Sequence, residues 1–513
     1  MKRIAIIDIG SNSARLVIIH LLKSGAYNMV FTQKESLRLS QKVDSNNMLT
    51  EAGMDETISC MKSFAYMCQV YEVDTTIAVA TAAIRNSSNG QELCDRIEKT
   101  CGIKLEIITG KTEAQMSYLG VANTLNVKDA IIFDLGGGST EVILMRDRRI
   151  SKSVSLPIGA VSATELYDTK NKFTPESCTA LSEHLKSLIK ANPWIAKNKG
   201  LPLIGVGGTA RTIAKIIQRS KNYSWTKIHG FSISRECLDS FWSSIRETDM
   251  TGRLDISGLS KDRNDLILAG AMIVTTLAEA TDCSRLISSG CGLREGLFFD
   301  YLGRLNNKPV LVEDVLEESV INAVKLYCTD LPHTINITGF ALRLFDALKK
   351  LHGLDDSYRR YLKTAAMLHD SGITLNYYSH ARHSAYIVQN AKLFGLSHKE
   401  QLFTSCIVGW HHGVAKNYFK GAPYNTVLTP EDWTAINKLA LLLALAEALD
   451  ATETRRIRSI DPLIDGNQVI LEITAPEMPT IELKALENHM KWFKKVYGKN
   501  LLFRMFLQTK KKK

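Results

Sequence analysis

One glycine-containing pattern occurs twice in the chain and constrains its fold more than any other feature. The segments "IAIIDIGSNSARLVII" at 4–19 and "AIIFDLGGGSTEVILM" at 130–145 share the pattern D-x-G-x-x-S, which begins at Asp8 and again at Asp134. Apolar runs flank both copies, which is typical of two strands joined by a tight turn. Each copy opens a stretch in which strand-like and helical runs alternate. The repetition therefore predicts two related α/β subdomains that face each other across a cleft.

The pattern of apolar residues divides the 513-residue chain into four segments. Strand-like and helical runs alternate in residues 1–125 and again in residues 126–305, and "RLNNKP" at 304–309 predicts a linker. Apolar residues recur every three or four positions in residues 312–455, which predicts an all-α domain. Residues 456–513 are mixed in character and basic, so we expect a small α/β domain there.

Most of the positive charge lies in the last segment. Of the formal net charge of +11, the stretch from Thr480 to Lys513 contributes +8, because ten Lys or Arg residues there outnumber two Glu residues. Two interpretations remain open. The stretch is either a solvated tail or a surface that attracts a polyanionic substrate, a nucleic acid or an anionic membrane.

Three features favour a cytoplasmic protein. The longest apolar helical stretch, "LALLLALAEALD" at 439–450, is shorter than the roughly 18 residues of a membrane span. The first residues, "MKRIAIID", reach an acidic side chain before an export signal could form. The ten cysteines include no C-x-x-C pair, which fits reduced thiols. We expect no membrane partner and no specific nucleic-acid partner.

The two turns and a third glycine-rich loop are candidate phosphate sites. Glycines at a bend between strands expose backbone N–H groups that point the same way and suit phosphate oxygens. The third loop, "GVGGTART" at 205–212, follows another strand, and Thr209 is predicted to cap the next helix. One such loop is more often only a tight turn, but three in one chain favour phosphate binding. The candidate residues are Ser11, Asn12, Ser13, Gly136, Gly137, Gly138, Ser139, Gly207, Gly208 and Thr209.

Three acidic residues complete the predicted cleft. Asp134 and Glu141 end two strands across the second turn, where both carboxylates could bind one Mg²⁺ ion; alternatively, Asp134 only shapes the turn. Glu113 falls in the first turn of a helix within "GKTEAQMSYLGVANTL" at 110–125, with Thr112 as the predicted N-cap. An acid there either complements the helix dipole or deprotonates a water molecule for attack on phosphorus.

Six short motifs occur in order in the first 305 residues. They are "DIGSNSARL" at 8–16, "ATAAIRNSSN" at 80–89, "GKTEAQMSYLG" at 110–120, "DLGGGSTE" at 134–141, "GVGGTA" at 205–210 and "GLREG" at 292–296. Through these motifs and their order, the chain resembles the exopolyphosphatase and guanosine pentaphosphate phosphohydrolase family. That family belongs to the actin, sugar kinase and chaperone ATPase superfamily. The resemblance implies that the first two segments are actin-like (ribonuclease H-like) subdomains around a cleft.

The same resemblance implies roles for individual residues. The family's catalytic base falls on Glu113, its metal carboxylates fall on Asp134 and Glu141, and its phosphate-binding arginine falls on Arg85. It also implies a phosphate role for Arg38, although "ESLRLSQKV" at 35–43 has a serine where the family has a glycine after Arg-Leu.

The helical segment holds an independent signal for a metal site. Eight of the twelve histidines lie within 80 residues, about four times the number that even spacing would place there. The region resembles the H…HD…D order of HD-domain phosphohydrolases, whose imidazole and carboxylate ligands suit a divalent metal. Two interpretations remain open, a metal-binding HD-type site and a structural relic of buried histidines. The candidate ligands are His333, His369, Asp370 and Asp450, with His383 and His411 extending the set to a second metal ion.

These observations predict a magnesium-dependent exopolyphosphatase that releases terminal orthophosphate from inorganic polyphosphate by in-line attack of water. Hydrolysis of the 5′ γ-phosphate of guanosine pentaphosphate uses the same chemistry and stays open as an alternative. A kinase or chaperone-like ATPase would share the loops but needs an adenine pocket. A sensor of polyphosphate or nucleotide, without turnover, would tolerate loss of Glu113. The oligomeric state stays open between a monomer and a homodimer.

Overall fold

The structure is a computed structural model, and the chain divides into two compact units, Met1–Val315 and Leu316–Lys513. The terminal lysines of the predicted basic tail, at 510–513, lie outside the described residues. Among the helices of the described part, none is long and apolar enough to cross a membrane. The described residues are 1–223, 225–414, 419 and 424–507.

The first half of unit 1 is built on a five-stranded sheet. Its strands are β1 (Lys2–Ile9), β2 (Ala14–Leu21), β3 (Tyr27–Glu35), β4 (Thr75–Ala80) and β5 (Leu105–Ile107). Their order is β3-β2-β1-β4-β5, with β1 antiparallel to β2 and parallel to β4. The helices are α1 (Glu51–Val70), α2 (Ala82–Arg85), α3 (Gly90–Cys101) and α4 (Gly110–Ala122), with a short 3₁₀ helix at Leu39–Lys42.

The second half of unit 1 is built on a six-stranded sheet. Its strands are β6 (Ala130–Leu135), β7 (Thr140–Arg146), β8 (Arg149–Leu156), β9 (Leu203–Gly207), β10 (Phe231–Ser234) and β11 (Arg285–Ser288), in the order β10-β11-β9-β6-β7-β8. Its helices are α5 (Ala160–Leu166), α6 (Pro175–Ala191), α7 (Trp194–Lys197), α8 (Gly208–Ser220), α9 (Arg235–Ile245), α10 (Ile267–Thr281) and α11 (Leu293–Asn306). Two 3₁₀ helices cover Gly252–Asp255 and Lys261–Arg263.

The two sheets repeat one topology. Strands β3-β2-β1-β4-β5 of the first sheet follow the same order and directions as β8-β7-β6-β9-β11 of the second. In each sheet an antiparallel hairpin carries the D-x-G-x-x-S turn, and the next strand runs parallel to the first strand of the hairpin. The predicted pair of related α/β subdomains is therefore confirmed.

Helices α4 and α11 pack against each other at a crossing that only glycine permits. A Cβ atom at Gly296 would lie 1.8 Å from the carbonyl oxygen of Met116, and one at Gly120 would lie 2.1 Å from that of Gly292. Apolar side chains of both helices share one buried cluster with side chains from both sheets. This packing fixes the first turn of α4, which carries Glu113.

The connection between the two units begins later in the chain than the sequence predicts. Helix α11 continues to Asn306, so the first three residues of the predicted linker at 304–309 are helical. The helix ends where Asn307 takes a left-handed conformation, with φ 50°. Asparagine tolerates that conformation better than most residues, and here it marks the C-terminal boundary.

The second unit begins with a helical region. Its helices are α12 (Val315–Tyr327), α13 (Leu331–Ala347), α14 (Lys349–His352), α15 (Ser357–Leu368), α16 (His380–Asn390), α17 (His398–Trp410), α18 (Tyr424–Val427) and α19 (Pro430–Ala448), with a 3₁₀ helix at Ser371–Thr374. Helix α19 is buried along most of its length, which explains its nearly continuous apolar sequence.

A small α/β region follows. It contains β12 (Ser459–Asp465), β13 (Gln468–Ala475), α20 (Thr480–Tyr497) and β14 (Asn500–Leu507). Strand β13 lies between an antiparallel β12 and a parallel β14, and α20 makes the crossover connection that a parallel pair requires.

Candidate active site

The two D-x-G-x-x-S turns have the same backbone geometry and lie against each other. In each turn the N–H of the first glycine donates to the carbonyl oxygen of the serine, at 3.1 Å in the first turn and 3.0 Å in the second. A Cβ atom at Gly137 would lie 2.9 Å from the Cβ atom of Ser11. A larger residue at position 137 would therefore push the turns apart, and glycine lets them line one cleft together.

Asp134 and Glu141 face each other across the second turn. They are directly paired in the β6–β7 hairpin, as the sequence predicts. The hydroxyl of Ser117 in α4 donates to Oδ2 of Asp134. The hydroxyls of Ser139 and Ser155 donate to Oε1 of Glu141, at 2.9 and 2.8 Å. Oε2 of Glu141 is buried without a hydrogen-bond partner among the described residues, which leaves it free to bind a cation.

Glu113 lies in the first turn of α4 and lines the cleft. The predicted N-cap is wrong: Thr109 caps α4 by accepting a hydrogen bond from the backbone N–H of Thr112 at 3.1 Å. The guanidinium of Arg85, at the end of α2, donates to Oε2 of Glu113 at 2.9 Å and to the carbonyl oxygen of Ile108 at 3.0 Å. Arg85 thus holds the Glu113 carboxylate in place.

Burial and mutual repulsion raise the pKa values of the three acids. Burial raises the pKa of Asp134. Burial, together with the charge of Asp134, raises the pKa of Glu141 to about 7. For Glu113, burial and the charge of Glu141 outweigh the ion pair with Arg85, so its pKa lies well above the usual range. Because a bound cation would relieve this repulsion, the donor set of carboxylate and hydroxyl oxygens fits Mg²⁺.

Four arginines and one aspartate that line the cleft were missed by sequence reasoning. Burial and the charges of Arg294 and Arg211 lower the pKa of Arg15 to about 10. The signal for two of them is present in the sequence, since Arg211 and Arg294 each lie in the first turn of a helix that follows a glycine-containing loop. The five residues are Asp8, Arg15, Arg211, Arg263 and Arg294.

Most of the predicted phosphate residues also line this cleft. They are Ser11, Asn12, Ser13, Gly136, Gly137, Ser139, Gly207 and Gly208. Gly138 lies behind them, where a Cβ atom would be 3.1 Å from Oγ of Ser11.

Three predicted phosphate residues make other contacts. Arg85 is absent from the lining of the cleft and pairs with Glu113. Thr209 is buried against Gly270 of α10 and does not cap α8, whose N-cap is Gly207 with φ 99°. Arg38 forms an ion pair with Asp265, with 2.7 Å between Nη1 and Oδ2. Its backbone N–H donates to the carbonyl oxygen of Asn12 at 2.9 Å, so Arg38 braces the first turn.

The sequence matches two domains of one family. Residues 17–305 match the Ppx/GppA phosphatase family, and residues 315–487 match domain III of the Ppx/GppA phosphatases. The chain belongs to the Ppx/GppA phosphatase family. As a Ppx/GppA phosphatase it is a phosphoric anhydride hydrolase, and the predicted family resemblance is confirmed.

Relatives of this Ppx/GppA phosphatase cover most of its length. It is 27% identical over 434 residues to a guanosine-5′-triphosphate,3′-diphosphate pyrophosphatase from Pseudoalteromonas translucida, over 83% of this chain and 84% of the relative. It is 26% identical over 404 residues to a protein of the same name from Pseudoalteromonas atlantica, over 77% of each chain.

Two solved structures share the fold of about three fifths of this chain. An exopolyphosphatase from Cytophaga hutchinsonii has a TM-score of 0.56 at 22% identity, covering 61% of this chain and all of that chain. A Ppx/GppA family member from Aquifex aeolicus has a TM-score of 0.52 at 30% identity, covering 60% of this chain and 99% of that chain. The predicted actin-like α/β fold is thereby confirmed.

In the second unit of this Ppx/GppA phosphatase, three of the predicted metal ligands come together. Potential ligand atoms of His333, His369 and Asp370 all lie within 4.8 Å of one another. Asp450 is adjacent, because its Oδ2 lies 3.0 Å from Nδ1 of His333 and accepts a hydrogen bond from Asn336 at 3.0 Å. The H…HD…D residues are therefore neighbours, with Asp450 placed to orient His333.

The site predicted for a second metal ion contains His411, but its other potential ligands are residues that the sequence interpretation did not name. His411 groups with His380, His412 and Glu447, again with ligand atoms within 4.8 Å of one another. His383 belongs to neither group; its Cβ atom packs near Gly372. His380 lies three residues before His383 on α16, and the sequence interpretation chose the wrong one of the two.

Proposed function

We propose that this Ppx/GppA phosphatase is an exopolyphosphatase that hydrolyses the terminal phosphoanhydride bond of inorganic polyphosphate. The lining of the cleft carries the proposal. Three glycine loops and four arginines offer backbone N–H and guanidinium groups to successive phosphates. Among the described residues that line the cleft none is aromatic, so a nucleobase finds no ring on which to stack.

Glu113 is the proposed general base. Its carboxylate would accept a proton from water while the water oxygen forms a bond to the terminal phosphorus. The bond from that phosphorus to the bridging oxygen breaks, and the shortened polyphosphate leaves with the electron pair of that bond. Arg85 supports this role by fixing the direction of the carboxylate through its 2.9 Å hydrogen bond.

Asp134 and Glu141 are the proposed Mg²⁺ ligands. Mg²⁺ bound there would neutralise charge on the phosphoryl oxygens. The unpartnered Oε2 of Glu141 supports the assignment, because a buried oxygen without a donor is costly unless a cation satisfies it. The serine hydroxyls donate to Oε1, so Oε2 is the carboxylate oxygen that remains available to a cation.

Hydrolysis of guanosine pentaphosphate is the second candidate. It is favoured by the name of the two Pseudoalteromonas relatives, which align with more than three quarters of this chain. The same base and metal ligands would serve it. A cytoplasmic location and a homodimer remain predictions, as do the phosphate roles of Arg38 and Arg85.

A side-by-side assay tests the proposal. Phosphate release from long-chain polyphosphate, guanosine pentaphosphate and ATP is measured with the full chain and saturating Mg²⁺, and kcat/KM is compared. We expect polyphosphate to give the highest value and ATP the lowest. A higher value for guanosine pentaphosphate would establish the second candidate instead. No release from any of the three would contradict an enzymatic role and favour the sensor.

A further inference from the structure

The histidine-rich region of the second unit contains more potential metal ligands than the H…HD…D motif requires. The potential ligands form two neighbouring groups, and within each group the ligand atoms lie within 4.8 Å of one another. The inner group is His333, His369 and Asp370, and the outer group is His380, His411, His412 and Glu447.

The backbone holds three of these histidines in one tautomer. Nδ1 of His369, of His380 and of His411 each lies at hydrogen-bond distance from a main-chain carbonyl oxygen. A carbonyl can only accept, so Nδ1 carries the proton and Nε2 keeps its lone pair. Nε2 of His369 and Nε2 of His411 are buried without a hydrogen-bond partner among the described residues. A histidine that binds a metal through Nε2 is usually oriented by a hydrogen bond from its other ring nitrogen, Nδ1.

Asp370 connects the two groups through its two carboxylate oxygens. Oδ2 lies 3.6 Å from Nε2 of His333 and 3.4 Å from Nε2 of His369, both in the inner group. Oδ1 lies 3.3 Å from Nε2 of His380 in the outer group. Oδ1 is buried and accepts no hydrogen bond within the described part of the chain. Each oxygen therefore faces a different set of nitrogens, as in a bridging carboxylate.

Spacing in the outer group is also that of a metal site. Oε2 of Glu447 lies 3.2 Å from Nε2 of His411, and Oε1 lies 3.1 Å from Nε2 of His412. Nε2 of His412 and Nε2 of His380 are 3.0 Å apart, where two imidazole nitrogens repel unless a proton or a cation lies between them. Ligands about 2.0–2.2 Å from one ion lie roughly 3.0–3.5 Å from each other.

We propose that the second unit binds two divalent transition-metal ions bridged by Asp370. Five imidazoles and two carboxylates form the donor set, which favours Mn, Fe, Co, Ni or Zn over Mg²⁺. Asp450 is a positioning residue that holds Nδ1 of His333 and turns its Nε2 toward the first ion. The first ion is held by the inner group, and the second by Asp370 together with His380, His411, His412 and Glu447.

This centre is independent of the proposed polyphosphate chemistry. All of its ligands belong to Leu316–Lys513, whereas the cleft is lined by residues of Met1–Val315. Its test counts bound metal, so failure of one proposal leaves the other standing.

The test is a metal titration of the full-length protein. The chain is stripped with a chelator, titrated with Co²⁺ while the visible absorption of the bound ion is recorded, desalted and analysed for cobalt. We expect two Co²⁺ per chain, and the same count in a Glu141→Gln chain, whose cleft site is impaired. A count of one or zero in the unmodified chain would overturn the proposal.

A matched pair of variants on α16 locates the second ion. His380→Ala should lower the cobalt content from two ions to one, whereas His383→Ala, three residues away and outside both groups, should keep two. Circular dichroism checks that both variants fold. Two ions retained in His380→Ala, or equal losses in both variants, would contradict the assignment. If His380→Ala does not fold, the count in the unmodified chain still decides.

Discussion

The two D-x-G-x-x-S turns have the same backbone geometry but differ in the charge of the residue that pairs with the aspartate across the hairpin. Across the first hairpin Asp8 lies opposite Arg15, and across the second Asp134 lies opposite Glu141. Burial raises the pKa of both aspartates. In the first turn the charge of Arg15 opposes that rise. In the second, Asp134 adds to the effect of burial on Glu141, whose pKa reaches about 7.

This difference suggests that the two copies of the turn bind different groups. The backbone of each turn presents N–H groups to the cleft, so both copies can contact phosphate. The side chain opposite the aspartate then decides which charge each turn adds, positive at Arg15 and negative at Glu141. We infer that the first turn serves the anionic substrate and the second serves the cation that the substrate needs.

We expect the largest effect when the proposed base, Glu113, is replaced. Glu113→Gln keeps an acceptor for Arg85 but cannot take a proton from water. We expect kcat for phosphate release to fall ~10² to 10⁴-fold, the usual contribution of a general base. Polyphosphate binding, measured with the same variant, should change little because the shape of the site is kept.

The control for this variant is Glu106→Gln, an identical change at an exposed residue of the same subdomain. It should keep full activity. Turnover of Glu113→Gln equal to that of the control would show that Glu113 only complements the helix dipole, and the assignment of the base would fall.

A smaller effect concerns stability and pH. The pKa of Glu141 is raised to about 7, so without Mg²⁺ the folded state binds a proton more tightly than the unfolded state, whose glutamate titrates near ~4.3. Stability in a chelator should therefore fall as pH rises from about 5 to 8, because the unfolded state binds fewer protons in that window. Thermal unfolding should therefore show a small decrease in melting temperature over this pH range.

Saturating Mg²⁺ should reduce this fall in melting temperature, because the cation binds the Glu141 carboxylate in place of the proton. Glu141→Gln, which cannot ionise, should lose part of the pH dependence in the chelator. A melting temperature that rises with pH over this range, or the same slope in the variant, would show that Glu141 is not the group responsible.

The smallest expected effect concerns the basic helix α20. Lys491, Lys494 and Lys495 are exposed on it, whereas Nζ of Lys499 donates to the carbonyl oxygen of Gly466. A long polyphosphate extends beyond the cleft and can meet basic surface elsewhere. Reversing the three exposed charges to Glu should weaken long-chain binding and flatten its salt dependence, by analogy with counterion release from nucleic acids. Hydrolysis of guanosine pentaphosphate should hardly change, and equal losses for both substrates would contradict a polymer-holding role.

Much of the cleft could be predicted because it depends on local geometry. The spacing of Asp134 and Glu141 around a tight turn forces them opposite each other in a hairpin, and the structure has that register. Glu113 was placed correctly in the first turn of its helix although its cap was not, since Thr109 and Thr112 are equally good capping residues three positions apart.

Residues brought in from distant elements could not be predicted in the same way. Arg263 lies on a short 3₁₀ helix between longer elements, and no local pattern ties it to the glycine loops. His380 and His383 differ by less than one helical turn, so only the packing of α16 decides which of them joins the metal group. Sequence periodicity predicts that a helix forms, but tertiary contacts decide how the helix is rotated about its axis and which side chains face the site.

The most direct test of the central claim compares Glu141→Gln with Arg15→Gln, two changes at equivalent positions of the two turns. The Mg²⁺ concentration for half-maximal phosphate release is measured for each at saturating polyphosphate. Glu141→Gln keeps the oxygen that accepts from Ser139 and Ser155 but replaces the unpartnered Oε2 by an amide nitrogen. We expect it to raise the Mg²⁺ requirement roughly 10-fold or more. Arg15→Gln should raise KM for polyphosphate and leave the Mg²⁺ requirement unchanged, whereas equal Mg²⁺ requirements in both variants would contradict the division of roles between the turns.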